Sequence, residues 1–329
     1  MSTTTPARRR RGPLAAPASV ALAAAAALAL SACGGGSGGG ASEPSASASE
    51  TTVTTVSTAF GDVPVPAEPQ SVVALAESAL DVALAVGVTP VGTTASRGGT
   101  EPPAYLGEEA AAVPVVGTVR EPNLEAVVEA APDLILAASG LDQAQYAALS
   151  AIAPTVVPEA AATGDWQAPL RTYAQALGAE EELTERLDAV TARAEAVAAG
   201  GGLDGTAAVL RWMETGPVLM SSALMPSALL AAAGADAVPA AAALGAAPHS
   251  DPLSLENLGE VDADHLFLAA FGQGGDTALA AAQGDPAFAR LEAAQSGATT
   301  EVDGGVWTSS SGPIAAEAVL DDIEAAAGA

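Results

Sequence analysis

The chain has 329 residues, a formal net charge of -28 at pH 7, and no lysine, so that all eleven of its basic residues are arginine. The absence of lysine excludes P-loop phosphate binding, Schiff-base catalysis and the Ser-x-x-Lys nucleophile. A single cysteine excludes an internal disulfide framework and a cysteine-based zinc site, and the strong negative charge disfavours binding to nucleic acid.

The first 32 residues have the pattern of a signal peptide. Four arginines at 8–11 precede an apolar stretch at 14–30, which is too short, and too soon followed by glycine, for a membrane-spanning helix. The sequence Leu-Ser-Ala-Cys at 30–33 resembles the lipobox of bacterial lipoproteins, in which the peptide is cut before the cysteine and the thiol takes a diacylglyceryl group. We therefore expect export and a lipid anchor on Cys33, at the extracytoplasmic face of the cell membrane.

The anchor is followed by a tether and then by an alternation of strands and helices. Residues 33–52 are mostly Gly, Ser, Ala, Glu and Thr, which predicts a flexible segment, and Gly61-Asp62 predicts the turn of an early hairpin. Strands are predicted at 71–74, 90–93, 113–116, 133–138 and 155–157, and helices at 78–86, 124–131, 143–152 and 166–177. This alternation predicts a first α/β lobe at 53–178, with a largely parallel sheet between two layers of helices.

One long helix is predicted in the middle of the chain. Residues 180–199 place apolar side chains at spacings of three and four, which indicates an amphipathic helix about 30 Å long. We interpret 179–203 as an interlobe helix, and 204–329 as a second α/β lobe. Its strands are predicted at 206–212, 264–269 and 299–302, and its helices at 226–234, 255–261, 286–294 and 313–327. The predicted fold class is therefore α/β, with two Rossmann-like lobes joined by a single long helix.

Two segments repeat at a constant offset of 131 residues. The matching positions are Leu124, Glu125, Glu129 and Asp133 in the first lobe and Leu255, Glu256, Glu260 and Asp264 in the second. A constant offset across a helix, a turn and a strand indicates that both lobes contain the same unit. Asn123 and Ser254 are good N-caps. They would place one glutamate of each lobe in a first helical turn, where the helix dipole favours a carboxylate by about 0.3–1 kcal/mol.

The lipobox, the tether, the two lobes joined by a long helix and the Asn-Leu-Glu…Pro-Asp-Leu-Ile-Leu repeat together resemble one family. It is that of the substrate-binding lipoproteins of ABC importers for ferric siderophores, with vitamin B12 and haem binders as relatives. Further matching stretches lie at 88–92, 105–107, 149–156 and 312–322.

The resemblance implies a monomer with a ligand in the cleft between its lobes. It implies no cofactor, because iron is bound only within the siderophore. It also implies that Glu125 and Glu256 pair with arginines on the two subunits of an ABC permease. A haem or cobalamin binder of the same family is the alternative.

The carboxyl ends of the predicted strands are the expected ligand site, because ligands of open α/β sheets bind there. These positions hold arginines and aromatic residues, including every tryptophan of the chain. Such side chains suit a flat, delocalised or anionic metal chelate, through stacking and charge-assisted hydrogen bonds. The predicted ligand-binding residues are Arg97, Arg120, Trp166, Arg211, Trp212, Phe271 and Trp307.

Other functions are weighed against this interpretation. Direct metal ligation is not expected, since His249 and His265 are the only histidines and His265 falls within a strand pattern. Haem would need an axial ligand, for which Tyr105 and His249 are candidates. Catalysis is not expected, because no acid pair or nucleophile motif stands out. An envelope adhesion or scaffold lipoprotein stays open. The few arginines and many acids favour a neutral or cationic hydroxamate over a trianionic catecholate.

Overall fold

The computed structural model describes residues 52–328. Cys33 and the predicted signal peptide lie outside the described residues. Within 52–328, no helix combines the length and the apolar character needed to cross a bilayer. The first described element is the predicted hairpin, in which β1 (Val53–Thr58) pairs antiparallel with β2 (Gly61–Pro66). The Thr58 hydroxyl donates to the Gly61 carbonyl at 2.7 Å and closes the turn.

The first lobe is built on a parallel sheet with the strand order β5-β4-β3-β6-β7. Its strands are β3 (Val72–Leu75), β4 (Gly92–Ala95), β5 (Val115–Thr118), β6 (Leu134–Ala137) and β7 (Thr155–Val156). Its helices are α1 (Glu77–Ala85), α2 (Gly107–Ala111), α3 (Leu124–Glu129), α4 (Gln143–Ser150) and α5 (Ala168–Leu177). Every residue of β3, β4 and β6 is buried, as expected for strands with helices on both faces.

The second lobe has a parallel sheet with the order β10-β8-β11-β12, and β9 pairs antiparallel with β8. Its strands are β8 (Thr206–Met213), β9 (Gly216–Leu219), β10 (Asp236–Ala237), β11 (His265–Ala270) and β12 (Thr299–Asp303). Its helices are α7 (Met225–Ala232), α8 (Pro239–Ala243), α9 (Gly275–Gln283), α10 (Glu292–Ser296), α11 (Gly304–Ser309) and α12 (Pro313–Ala327). The predicted α/β class with largely parallel sheets is confirmed.

Helix α6 (Glu180–Ala199) connects the two lobes in the chain and contributes to both hydrophobic cores. Leu183 and Leu187 pack in a cluster with β3 and β6 side chains, whereas Val190 and Val197 pack in a cluster with β8 and α12 side chains. Ion pairs also join α6 to α12. One of them places Arg186 Nη1 3.1 Å from Glu317 Oε1. A single straight element is therefore shared by two cores.

Both sheets contain the repeated unit. The Asp133 carboxylate accepts hydrogen bonds from the backbone N–H groups of Gln70 and Ser71, at 2.8 and 3.0 Å, just before β3. The Asp264 carboxylate accepts from the backbone N–H and the hydroxyl of Thr206, at 2.6 and 2.8 Å, where β8 begins. In each lobe, an aspartate just before one strand is thus tied to the start of the neighbouring central strand.

Two predicted helices differ from the structure, and β9, β10, α2, α8, α9 and α11 have no predicted counterpart. Residues 255–261 form a 3₁₀ helix instead of an α-helix. The helix predicted at 286–294 is divided into a 3₁₀ turn at 288–290 and α10, because Leu291 between them has extended backbone angles. Strand β9 was not predicted, and it extends the path of β8 beyond the expected strand end.

Candidate ligand-binding cleft

A cleft of about 620 Å³ lies between the two lobes, at the carboxyl ends of their parallel strands. The first lobe contributes loops that follow β4, β5 and β7, and the second contributes the end of β8 and loops that follow β9, β11 and α11. Six of the seven predicted ligand-binding residues line this one cavity: Arg97, Arg120, Trp166, Arg211, Phe271 and Trp307. Their contact with a ligand stays a prediction.

Trp212 does not line the cleft, and its prediction as a ligand-binding residue is wrong. Its side chain is 1 % exposed and packs edge-on against Phe288, with ring centroids 6.4 Å apart. The sequence predicts that the strand ends at Trp212, whereas β8 continues to Met213 and turns into β9. Because successive side chains of a strand point to opposite faces, Arg211 faces the cleft and Trp212 enters the core.

The other two tryptophans differ in what they present to the cleft. Trp307 is 1 % exposed and stacks on Phe267 with ring centroids 4.7 Å apart, so that it forms the floor of the cavity. Its indole N–H donates to Asp322 Oδ2 at 2.8 Å, which fixes the ring. Trp166 is only partly buried on the first-lobe wall. The indole available for stacking is therefore that of Trp166.

Arg211 is the most enclosed cation of the cleft. Its guanidinium donates to the Thr308 carbonyl and lies over the Phe271 ring, with Cζ 4.7 Å from the ring centroid. Burial and, to a smaller extent, the positive charge of Arg97 lower the pKa of Arg211 to about 10, against the opposing effect of Glu77. Arg211 remains charged at neutral pH. Arg97 of the first lobe and Arg211 of the second therefore repel each other across the cleft.

Glu77 is a buried carboxylate beside these arginines that the sequence prediction missed. It begins α1 directly after β3 and is 5 % exposed. Glu77 Oε1 accepts the backbone N–H of Arg97 at 2.7 Å, and its Oε2 lies 3.5 Å from Arg97 Nε. Burial raises the pKa of Glu77, against the lowering effect of Arg97 and Arg211. The strand-end rule that singled out Arg97 would also have found Glu77, which looked instead like an ordinary first-turn acid.

The candidate haem ligands lie in different places. His249 is exposed on the second-lobe wall, with Nδ1 2.7 Å from the Ser250 carbonyl oxygen. Tyr105 is outside the lining, and its hydroxyl donates to the buried Asp81 at 2.9 Å. Among residues 52–328, no group of three or more metal-ligating side chains is placed to hold an ion.

Glu125 and Glu256 are both exposed, but their local structures differ. Asn123 Oδ1 accepts the backbone N–H groups of Glu125 and Ala126 at 3.1 and 3.3 Å, so the predicted cap of α3 is confirmed. The Ser254 side chain makes no capping bond, and the segment after it is a 3₁₀ helix, so that half of the cap prediction is wrong. Pairing of the two glutamates with a permease stays a prediction.

Comparison with known proteins places this architecture in a family. A family model described as periplasmic binding protein matches residues 72–303. YfiY of Bacillus subtilis, a probable siderophore-binding lipoprotein, is 30% identical over 273 residues, which cover 79% of this chain and 83% of that protein.

Solved structures share the fold. Staphylococcus aureus SirA complexed with staphyloferrin B has a TM-score of 0.73 at 22% identity, covering 84% of this chain and 98% of that one. VctP of Vibrio cholerae, a periplasmic catecholate-siderophore binding protein, has a TM-score of 0.68 at 22% identity, covering 83% of this chain and 100% of that one. On the family match and the similarity to YfiY, the chain belongs to the periplasmic binding protein family.

Proposed function

We propose that the protein captures a ferric siderophore in the interlobe cleft and delivers it to an ABC importer. The observation that carries the proposal is the convergence of Arg97, Arg120 and Arg211, from both lobes, on one cavity that also offers Trp166 and Phe271. Membership of a solute-binding family supports capture rather than catalysis. The name of the B. subtilis relative supports a siderophore as the solute.

The charge of the cleft supports an anionic chelate. Four of the eleven arginines fall in the predicted signal peptide, and three others line the cleft of a chain with 39 acidic residues. Among the described residues that line it, Asp165 is the only acid, and Arg171 Nη1 lies 3.6 Å from its Oδ1. A positive cleft attracts a polyanion and focuses its approach. This arrangement reverses the preference for a neutral or cationic hydroxamate, because every described acid except Asp165 lies outside the cavity lining.

Delivery is proposed to use Glu125 and Glu256, which occupy the same position of the repeat on each lobe and are exposed. A permease with two-fold symmetry presents the same surface twice, which suits a protein that carries one copy of the docking residue on each lobe. The proposed lipid on Cys33 keeps the loaded protein close to the permease, so that docking occurs at a high effective concentration.

A fluorescence titration tests the proposed ligand class. Purified protein is titrated with ferric staphyloferrin B, ferric citrate, ferric enterobactin, ferrioxamine B, haemin and cobalamin. We expect an anionic ferric chelate to quench the Trp166 emission with a Kd below about 1 μM, because a capture protein must concentrate a scarce ligand. Haemin is included because the contact of His249 Nδ1 leaves Nε2 for iron.

The Trp166→Phe variant is the control for this titration, since it should lose most of the quenching while calorimetry still reports binding. Binding of none of these compounds below about 1 μM would contradict the proposed function.

The anchor is tested separately from the ligand. Cys33→Ala should move the protein from the membrane fraction to the soluble fraction. The Kd for the chelate should stay unchanged, because the residues that line the cleft begin only at Arg97. Retention of the Cys33→Ala protein in the membrane fraction would contradict lipid anchoring without affecting the ligand proposal.

A further inference from the structure

A carboxylate of the first lobe caps a helix of the second lobe. Asp81 on α1 is 0 % exposed. Its Oδ1 accepts the backbone N–H of Ile314 at 2.9 Å, and its Oδ2 accepts the backbone N–H of Ala315 at 3.0 Å and the Tyr105 hydroxyl at 2.9 Å. Ile314 and Ala315 lie in the first turn of α12, whose own N-cap, Gly312, supplies no side-chain bond. The orphan donors of this helix end are therefore satisfied from the opposite lobe.

The local sequence of α12 is suited to this contact. A Cβ added at Gly312 would overlap the Asp81 carboxylate, so that only glycine lets the two lobes approach this closely. Pro313 follows at the first helical position, where the absence of a backbone N–H costs nothing. The positive end of the 15-residue helix then faces a buried anion, which the helix dipole stabilises.

The contact lies directly beside the cleft wall. The segment 308–311, which immediately precedes α12, lines the cavity on the second-lobe side. Within it, the Thr308 carbonyl accepts the Arg211 guanidinium, and the Ser310 hydroxyl donates to the Gly305 carbonyl of α11 at 3.1 Å. Fixing the first turn of α12 therefore restrains the wall segment and, through Thr308, the orientation of Arg211.

We propose that Asp81 is a positioning residue of the ligand cleft, which fixes the wall segment 308–311 and Arg211 from the opposite lobe while its carboxylate is ionised. The proposal rests on the proposed function only in that the cleft binds an anionic chelate. Asp81 does not line the cavity, yet its contacts help to set the affinity for the chelate and make that affinity dependent on pH.

The surroundings of Asp81 place its titration in an accessible range. Burial and, to a smaller extent, the negative charge of Glu317 on α12 raise the pKa of Asp81 to about 6, against the lowering effect of its three hydrogen bonds. Glu317 is itself paired with Arg186 of α6. On its own helix, Glu77 lies one turn away and contacts Arg97. Helix α5, which packs on α1, offers Tyr173, whose hydroxyl donates to the Ala137 carbonyl.

Affinity and global stability should respond to this titration in opposite directions. Below pH 6 the protonated acid loses its charge-assisted bonds, so that the wall loosens and the affinity falls. The folded pKa of about 6 lies above the model value of 3.8, so that the buried charge costs stability as the pH rises from about 4 to 6. Acidification through this window therefore raises the contribution of Asp81 to the stability of the fold. A merely structural role would not lower the affinity there.

Hydrogen exchange tests the contact without any ligand. At pH 7.5, Asp81→Asn should speed the exchange of the Ile314 and Ala315 amides, because an Asn NH₂ group would face N–H and O–H donors. Asp142→Asn is the matched control, since Asp142 caps α4 within the first lobe, accepting the Gln145 N–H at 2.8 Å. Tyr105→Phe is the milder second variant if Asp81→Asn does not fold. Unchanged exchange at 308–316 in the Asp81 variant, or in Tyr105→Phe when that variant is the one used, overturns the proposal.

Binding tests the consequence for the cleft, with the anionic ferric chelate of lowest Kd from the titration as the probe. The wild-type Kd should rise about threefold between pH 7.5 and 5.5, because about a quarter of a carboxyl group with a pKa of about 6 is still ionised at the lower pH. Asp81→Asn should bind about tenfold more weakly at pH 7.5 and keep only the pH dependence of the chelate itself. Tyr105→Phe should move the midpoint to higher pH, since the carboxylate loses a donor.

The outcomes of the two tests separate the proposals. An Asp81→Asn protein with the wild-type Kd and pH profile overturns the positioning role, even when the exchange result is positive. If no chelate binds the wild type, the proposed function fails instead, and the exchange experiment alone decides whether Asp81 fixes the wall.

Discussion

The two lobes share a frame but reach the cleft in different ways. In the first lobe β3 ends at Leu75 and α1 follows, whereas β8 of the second lobe continues past Leu210 and folds back as β9. When β3 and β8 are aligned by their pairing with β6 and β11, Arg211 takes the position of Ala76. Extra strand length therefore gives the second lobe an enclosed arginine, while the first lobe presents exposed arginines from loops.

The outer surfaces of the repeated units also differ. Beside Glu125, Leu124 and Val128 are 40% and 56% exposed, which gives the first lobe an apolar patch. At the matching positions of the second lobe, Leu255 is partly buried against the core and residue 259 is a glycine. The repeat thus keeps its charge at both positions, but the apolar surroundings are kept only on the first lobe.

The largest expected effect tests whether the lobes dock equally. Glu125→Arg combined with Glu256→Arg should reduce iron uptake to background in cells that depend on this protein, because like charges would meet at both docking positions. The Kd for the chelate should stay unchanged. Each single reversal should lower uptake at least about tenfold, with the larger loss for Glu125→Arg because of its apolar patch.

A charge-matched control places the same reversals elsewhere. Glu185→Arg with Glu195→Arg alters exposed positions of α6 and should leave uptake unaffected. Equal loss from this pair would show that net charge, rather than the two glutamates, governs docking.

The second expected effect separates core from cleft. Trp212→Ala should lower the free energy of unfolding by about 3–5 kcal/mol, measured by urea denaturation, because it leaves a large cavity in the second lobe. Trp166→Ala should leave that free energy nearly unchanged and weaken chelate binding by about three- to tenfold, measured by calorimetry. If Trp212→Ala weakened chelate binding and left the free energy of unfolding unchanged, Trp212 would be a ligand-binding residue after all.

The third expected effect compares the two kinds of arginine. Arg211→Gln should weaken binding of an anionic chelate about a hundredfold, because a half-buried guanidinium makes strong charge-assisted bonds. Arg97→Gln should weaken it only about tenfold, since the Arg97 side chain is 59% exposed and screened by water. Equal losses in calorimetric titrations would mean that lobe-specific burial does not set the contribution to affinity.

The smallest expected effect tests the shared frame. Asp133→Asn and Asp264→Asn should each lower the melting temperature by about 2–4 °C at pH 7. The hydrogen bonds from Thr206 lower the pKa of Asp264 below 3.8, so that its contribution is present above that pH and is lost as the pH falls through the folded value. The difference between wild type and Asp264→Asn should therefore be constant from pH 7 to 5 and shrink below about pH 4. If only one of the two variants lowers the melting temperature, Asp133 and Asp264 do not have equivalent roles in the two lobes.

Local patterns predicted much of the fold. The bounds of α6 and α12 follow from apolar spacing, from glycine at the ends and from Pro313 at a first helical position. The repeat predicted that both lobes contain the same unit, which the equivalent contacts of Asp133 and Asp264 support. The carboxyl end of β8 could not be predicted, because no sequence pattern before Gly216 indicates that the strand continues to Met213 and pairs with β9. Because the strand end was predicted one residue too early, Trp212 was assigned to the cleft, whereas its side chain lies in the core.

The buried carboxylates could not be found in the sequence. Asp81 meets Ile314 across 233 residues, and its burial depends on a glycine that looks like ordinary helix punctuation. Glu77 resembles a solvent-exposed first-turn acid until the lobes enclose it. Periodicity reports which face of an element is apolar, but it does not report which polar groups of distant segments meet.

The sharing of α6 between both cores has a consequence for transport. We expect lobes that share one helix, with ion pairs from it to α12, to change little in shape when the cleft fills, so that reorganisation costs little of the binding free energy. Empty and loaded molecules then present nearly the same surface to the importer. Empty molecules would occupy importers as competitors, and the rate of uptake would follow the loaded fraction of the population rather than its total amount.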